Sequence, residues 1–171
     1  VIFLHCSGYK SNDSNYTNYF GKIYEARYLS GLAAGSITES NKIGYVAAFP
    51  IPEVIRGINA FANGVKEVNP NATVEVVWTN TWFGPEEETQ AANALIEAGA
   101  DVLTQHQDSA STGIAAEAAG AKWIGYHTGY GKDAAPSAFV TAPVWNWGPL
   151  YTEMVNAVIN DEFTTTPYWT G

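Results

Sequence analysis

Short apolar runs alternate with amphipathic segments along nearly the whole chain, and this alternation limits the possible folds more than any other feature. Runs of strand character occur at Val1–Cys6, Lys42–Phe49, Thr73–Thr79, Asp101–Gln105, Lys122–His127 and Phe139–Val144. Strands that are separated by helices of ordinary length pair in parallel through right-handed crossovers. The sequence therefore predicts an α/β fold with a doubly wound parallel sheet.

Helices are predicted between these strands from apolar residues spaced three and four apart, and from Pro and Gly near the segment ends. The predicted helices run from about Tyr16 to Ala34, Pro52 to Asn69, Pro85 to Gly99, Asp108 or Ser109 to Gly120, and Gly148 to Asn160. The stretch from Ile43 to His127 holds strands and crossover helices enough for one complete doubly wound lobe.

Composition excludes several classes of function. The net charge of −9 argues against a protein that binds a nucleic-acid backbone, because such proteins need a basic surface. The single cysteine, Cys6, rules out an internal disulfide and a cysteine-based zinc cluster. No apolar run approaches the roughly 20 residues that span a membrane. We therefore expect a globular protein without a nucleic-acid partner.

Aromatic and amide side chains recur where the predicted strands end. Phe49, Trp82 and the segment Trp145-Asn146-Trp147 lie at or just after strand ends. Ligands of open α/β sheets bind beyond the carboxyl ends of the strands. Aromatic faces beside amides and carboxylates suit a flat ring with a polar edge, and Asn and Gln pair well with adenine. The pattern predicts a site for a nucleobase-like ligand.

Other kinds of chemistry have weaker support in the sequence. His106 and His127 follow different strands and have only Asp108 as a third ligand, which is a poor metal site. Ser109 lacks a nucleophile elbow, and Gly125–Gly131 does not match a phosphate-binding fingerprint. We expect no catalytic residue, no metal and no cofactor. Two alternatives stay open: a small-molecule hydrolase with Asp108 and His127 as an acid–base pair, and a ligand-sensing regulatory domain.

Several segments, which together extend over nearly the whole chain, carry a family resemblance: Tyr24–Gly31, Asn41–Phe61, Trp78–Pro85, Gly99–Val102, Gln105–Ser109 and Val144–Pro149. In these segments the chain resembles the basic membrane protein family. Members of that family are ABC-transporter substrate-binding lipoproteins related to the purine nucleoside receptors of bacteria.

The resemblance implies a type I periplasmic-binding-protein fold, in which two doubly wound lobes close on a purine nucleoside or nucleobase. It also implies an ABC permease as membrane partner, and a periplasmic or extracytoplasmic location with a lipoprotein anchor in the full-length form. Nucleoside-binding members carry an acidic ribose-binding residue after the strand that here ends in Tyr126-His127, and a lysine near Trp145–Trp147. This chain has neither. A bare base such as adenine is therefore expected.

Family members are longer and begin with first-lobe strands that this chain lacks. By this comparison we expect one complete lobe plus part of the other: residues 1–43 form part of the first lobe, residues 44–141 the complete second lobe, and residues 142–171 return to the first. The chain is then a fragment or an engineered piece without one wall of the cleft. The exposed edge of its first lobe favours a homodimer or strand swapping.

The main hypothesis is a solute receptor that delivers an adenine-like purine to a permease, by lobe closure and without covalent chemistry. The predicted ligand-binding residues are Phe49, Trp82, Gln107, Asp108, His127, Trp145 and Asn146. The aromatic residues would stack on the ring or enclose it. Gln107, Asp108 and Asn146 would read the polar edge, and His127 would add a polar contact.

Overall fold

The alternation of strands and helices is realised most fully between Tyr24 and Val144. A computed structural model describes residues 1–170, without the side chain of residue 170. Two units can be distinguished: the central unit, Tyr24–Val144, and the terminal unit, which joins Val1–Ile23 to the residues from Trp145 onward. The lobe boundaries that the family resemblance implies stay a prediction.

In chain order the elements are β1 (Phe3–Cys6), β2 (Tyr16–Gly21), α1 (Ile23–Ile37), β3 (Lys42–Ala47), α2 (Pro52–Val68), β4 (Thr73–Trp78), α3 (Pro85–Glu97), β5 (Val102–His106), α4 (Ser111–Ala118), β6 (Lys122–Ile124), α5 (Gly131–Ala134), β7 (Phe139–Thr141), α6 (Gly148–Ile159) and β8 (Tyr168–Thr170).

The sheet of the central unit has the order β4-β3-β5-β6-β7, and every pairing in it is parallel. Its middle strands, β3 and β5, are almost wholly buried. Strands covered on both faces tend to be continuous apolar runs, as β3 nearly is, whereas β5 follows Val102 and Leu103 with the buried polar residues Thr104, Gln105 and His106. The parallel order brings the carboxyl ends of all the strands to one edge, which is where ligands of such sheets bind.

Each face of this sheet carries its own hydrophobic cluster. Leu95 and Leu103 lie in one cluster, which α3 and α4 cover. Tyr45, Phe61 and Val65 lie in the other, on the side of α2. The helices of the central unit are therefore held by apolar side chains that meet the sheet from both sides.

The terminal unit has a smaller core. Its strands pair in parallel in the order β1-β2-β8. Tyr19, Leu150 and Met154 are buried together there. The hydroxyl of Tyr19 also lies 2.8 Å from the hydroxyl of Tyr151 on α6. Leu4, Cys6, Trp147 and Tyr168 pack against this centre and complete the core of the unit.

The predicted helix from Tyr16 to Ala34 is wrong in its first third. Tyr16–Gly21 forms β2, and burial alternates along it with Thr17 and Tyr19 inside. The Thr17 hydroxyl donates to the carbonyl of Thr165 at 2.8 Å, a contact from a distant part of the chain. Apolar spacing over a short stretch does not distinguish a strand from the first turn of a helix, and tertiary pairing decides between them.

Two smaller expectations also change. The residue at the start of α4 is Ala110, with no side-chain cap, so neither Asp108 nor Ser109 occupies the N-cap position. The strand expected to reach His127 ends at Ile124. Both differences lengthen the loops at the carboxyl edge of the sheet, and those loops carry most of the candidate site.

Candidate ligand-binding site

The loops at the carboxyl edge of the central sheet bring several predicted site residues together. Phe49 follows β3, Trp82 follows β4, and Gln107 and Asp108 follow β5 directly. His127 follows β6. Because all these strands are parallel, the sheet itself places the five residues at one edge.

Five rings follow one another along this edge, and we call them the aromatic run: Phe49, Trp82, His106, Tyr126 and His127. The ring centroids of Phe49 and Trp82 are 5.3 Å apart, and those of Trp82 and His106 are 5.9 Å apart. His106 and Tyr126 are 4.5 Å apart. Tyr126 and His127 stack at 3.6 Å. Such a row offers ring faces and edges to a planar ligand.

Gln107 holds the loop that carries Trp82. The orientation that satisfies both ends of its amide directs the nitrogen to the carbonyl oxygens of Thr81 and Trp82, at 3.0 Å each, and the oxygen to the Thr79 hydroxyl. The backbone N–H of Asp108 also donates to the Trp82 carbonyl at 2.9 Å. Gln107 is 1% exposed, so its amide is used to position this loop. The role predicted for it in reading a ligand edge stays a prediction.

A cavity of about 370 Å³ lies between the loops that follow β5 and β6. Gln107, Asp108 and His127 line it, as do Gln105 and Trp123 from the strands below. Gln105 Oε1 and Trp123 Nε1 are buried and have no hydrogen-bond partner among the described residues. Buried polar atoms are nearly always hydrogen-bonded. Gln105 Oε1 can therefore accept, and Trp123 Nε1 can donate, a hydrogen bond from or to a ligand in this cavity. The volume is that of a small-molecule site.

A buried carboxylate stabilises the loop on one side of this cavity. Glu88 on α3 is 0% exposed. Its oxygens accept from the Ser109 hydroxyl at 2.6 Å and from the Gly84 N–H at 3.1 Å. Burial raises the pKa of Glu88 even though both hydrogen bonds favour its ionised form. Asp108 is exposed by comparison, and partial desolvation at the cavity raises its pKa as well.

The two histidines of the aromatic run are neutral. Burial, assisted by the charge of Arg27, lowers the pKa of His106 to about 3 and that of His127 to about 2. Neutral imidazoles stack as aromatic rings and carry one donor and one acceptor each. Within residues 1–170, no group of three or more His, Cys, Asp or Glu side chains is arranged to hold a metal ion.

Arg27 on α1 is a buried residue beside the candidate site that sequence reasoning missed. Its guanidinium is 0% exposed and lies 4.9 Å from the centre of the Tyr126 ring. A signal was present, because Ile23, Arg27 and Gly31 share the buried face of α1 at a spacing of four. A charged residue on the apolar face of a helix is uncommon, and a fully buried one is usually paired with another charged or polar group. The misplaced helix start hid this periodicity.

Trp145 and Asn146 belong to the terminal unit. There the ring of Trp145 stacks on Trp147, with centroids 4.5 Å apart, and contacts Phe20 at 5.1 Å. The predicted aromatic cluster around Trp145-Asn146-Trp147 is therefore ordered by ring contacts within its own unit. The ligand-binding roles of Trp145 and Asn146 stay predictions.

Comparison with known proteins identifies the family. A profile of the Bmp family, the PnrA-like ABC transporter substrate-binding proteins, matches residues 1–170. The chain belongs to this family. The resemblance inferred from its sequence segments is thereby confirmed.

Two curated relatives match this Bmp-family chain over all 171 residues. A putative ABC transporter glucose-binding protein of Haloferax volcanii is 44% identical, and the match spans 43% of its length. A purine-binding protein of Brucella abortus is 39% identical, and the match spans 48% of its length. The chain therefore covers less than half of the length of these two relatives.

Solved structures confirm the α/β type I periplasmic-binding-protein fold. A transcriptional activator of the comK gene from Bacillus halodurans superposes with a TM-score of 0.86 at 22% identity, over 99% of this chain and 59% of the other. A solute-binding protein from Aeropyrum pernix K1 gives a TM-score of 0.83 at 17% identity, over 98% and 50%. At these identities the likeness concerns the fold alone.

Proposed function

We propose that this chain is the ligand-binding part of an ABC-transporter receptor that binds a purine base for uptake. The observation that carries the proposal is the aromatic run beside a cavity of about 370 Å³ at the carboxyl edge of the sheet. The 39% identity to a purine-binding protein supports the same ligand class. The family consists of substrate-binding proteins, which favours a receptor over an enzyme.

The chemistry of the cavity suits a neutral planar ring. Tyr126 and His127, the members of the aromatic run that line the cavity, provide stacking surface, which contributes about 0.5–1.5 kcal/mol per pair beyond area burial. Asp108 and Gln105 Oε1 offer acceptors, and Trp123 Nε1 offers a donor. Neutral His127 adds one donor and one acceptor. A purine has both stacking faces and a polar edge that such groups can read.

The remaining parts of the proposal concern the whole protein. We infer delivery to a membrane permease, an extracytoplasmic location, and a lipoprotein anchor in the full-length form. In the described part of the chain, no helix combines the length and hydropathy that a membrane span requires. We also propose that Trp145 and Asn146 contact the ligand. For the 171-residue chain by itself, we predict that a homodimer can form.

The direct test is isothermal titration with adenine, guanine, hypoxanthine and adenosine, and with glucose as a competing ligand class. It uses the 171-residue chain and the protein as its gene encodes it. We expect micromolar or tighter binding of a free base, and weaker binding of adenosine. Binding of glucose without any purine would overturn the purine proposal. Chemical turnover of a bound nucleoside would favour the hydrolase alternative.

A matched pair of variants tests the aromatic run. Trp82→Ala removes a ring that is 39% exposed and contacts both Phe49 and His106, so we expect about 5- to 150-fold weaker purine binding, by analogy with base stacking on aromatic side chains. Phe83→Ala removes the adjacent, 64% exposed ring and serves as the control. Equal effects of the two variants would contradict the assignment of Trp82 to the site.

A further inference from the structure

A buried guanidinium without a hydrogen-bond partner lies behind the aromatic run. Arg27 is 0% exposed, and its Nε, Nη1 and Nη2 atoms have no hydrogen-bond partner among the described residues. A guanidinium carries five N–H donors and no acceptor. Leaving such a group desolvated and unpaired is costly, so native structures give it an acceptor. The guanidinium of Arg27 is therefore available to donate hydrogen bonds to a ligand.

Aromatic side chains and one carboxylate lie around Arg27. Its nearest rings are Tyr126, at 4.9 Å from Cζ, and Tyr45, at 5.8 Å. The hydroxyl of Tyr45 is also buried and without a partner within residues 1–170. Glu53 is near enough to respond to the charge, but it makes no hydrogen bond to the guanidinium. Two groups near Arg27 that could accept, the Tyr45 hydroxyl and Nδ1 of neutral His106, are themselves unpartnered among the described residues, and no anion accepts from the guanidinium there.

Tyr126 is in contact with both Arg27 and the cavity. Its ring stacks over the Arg27 guanidinium and also forms part of the cavity wall. The next residue, His127, has a backbone φ of +53°, in the left-handed region that residues other than glycine seldom adopt. Strained backbone of this kind collects at ligand clamps and mobile loops. A shift of the Tyr126 ring would open the guanidinium to a bound ligand.

We propose that Arg27 is a specificity-determining residue that selects a 6-oxopurine over adenine. This inference rests on the proposed function and deepens it. The O6 and N7 atoms of an oxopurine form an edge of two acceptors, which a guanidinium binds with two parallel hydrogen bonds. The same edge of adenine presents an amino donor beside N7, and a guanidinium has no acceptor for that donor.

The cavity supplies the complementary half of this recognition. An oxopurine carries an N1–H donor next to O6. Asp108, in the loop that follows β5, is an acceptor in the cavity wall. The donors of Arg27 and this acceptor match a ring that has acceptors on one edge and a donor beside them. The preference for adenine that the family resemblance implies would then be reversed in this chain.

The test measures the ratio of the dissociation constants of adenine and hypoxanthine, by titration of the protein as its gene encodes it. We expect wild-type protein to bind hypoxanthine about 5- to 150-fold more tightly than adenine, the range of one bidentate contact. Arg27→Gln should abolish this ratio, and Arg27→Lys should reduce it, because lysine keeps the charge and loses the fork. Arg56→Gln alters an exposed arginine of α2 and should leave the ratio unchanged.

Each result has a distinct meaning. An adenine preference in the wild type, or an equal weakening of all purines by Arg27→Gln, would overturn the role of Arg27 while the purine receptor stands. Failure of every purine to bind would remove the proposed function and this inference with it. If Arg27→Gln does not fold, Arg27→Lys and a crystal structure with hypoxanthine decide, since the guanidinium nitrogens should lie within about 3.2 Å of O6 and N7.

Discussion

At the scale of single residues, buried polar side chains distinguish this molecule from a generic α/β lobe. His106 is 2% exposed and neutral, Gln107 is 1% exposed and ties down the Trp82 loop, and Arg27 is wholly buried. Each costs free energy to bury and each borders the candidate site. Residues of this kind are retained where a precise polar arrangement matters more than stability.

The neutral state of His106 predicts a pH dependence of stability. Its pKa in the folded protein is about 3, against about 6.5 for a free histidine, so the unfolded chain binds more protons between these values. The free energy of unfolding should therefore fall as pH decreases from 6.5 towards 3, by at most about 1.4 kcal/mol per pH unit from this group. Urea denaturation followed by tryptophan fluorescence at pH 7, 6, 5 and 4 measures it.

A comparison of variants isolates this contribution from the carboxylates that titrate in the same range. His106→Gln should lose the His106 part of the pH slope, and the difference from the wild type is the quantity of interest. Identical slopes for wild type and His106→Gln would show that His106 is not held neutral in the fold.

At the scale of elements, glycines set how closely α1 and α2 approach. A Cβ atom added at Gly64 on α2 would overlap the backbone carbonyl of Tyr28 on α1, and one added at Gly31 would overlap that of Phe61. A backbone atom cannot move aside as the end of a flexible side chain can. The two helices therefore meet backbone to backbone, which fixes α1 and the position of Arg27 on it.

This contact predicts unequal effects for two glycines of the same helix. Gly64→Ala should destabilise the protein by about 1–3 kcal/mol or more, because an overpacked contact must separate the helices. At Gly57 the nearest atoms to an added Cβ lie 3.9 Å away, so Gly57→Ala should be neutral or stabilising by up to about 1 kcal/mol. Chemical denaturation of both variants checks the prediction, and similar losses at the two sites would contradict it.

Most elements could be predicted from local sequence, and the exceptions have physical reasons. Pro52 and Pro85 at helix starts, and the apolar run of β3, specify structure through contacts a few residues apart. The strand β2 does not, because its partners are β1 and the distant β8. Sequence patterns reveal regularities over a few residues, and they do not predict which distant strands pair.

At the scale of the whole molecule, the two units differ in how much apolar surface they bury. The central unit has a hydrophobic cluster on each face of a five-stranded sheet. The terminal unit has one smaller cluster and a three-stranded sheet. Local stability follows buried apolar contact, so the two units should open with different free energies.

Hydrogen exchange measured by mass spectrometry tests this difference. Amides of β3 and β5, which pair on both sides within a buried sheet, should exchange last, and those of β1 and β8 much earlier. Met154→Ala should speed exchange in the terminal unit, since it opens a cavity in the small cluster, and should leave β3 and β5 unaffected. Equal protection of all four strands would show that the chain opens as one cooperative unit.

The sequence by itself determined the fold class, the family and the edge of the sheet that carries the candidate site. These follow from local periodicity, from short motifs and from the rule that parallel strands end together. Tertiary structure alone decided that Gln107 is used to hold a loop, that His106 and Tyr126 join the predicted rings, and that Arg27 lies buried behind them without a hydrogen-bond partner among the described residues. Burial, hydrogen-bond partners and pKa depend on residues that are distant in sequence, and only the folded chain brings them into contact.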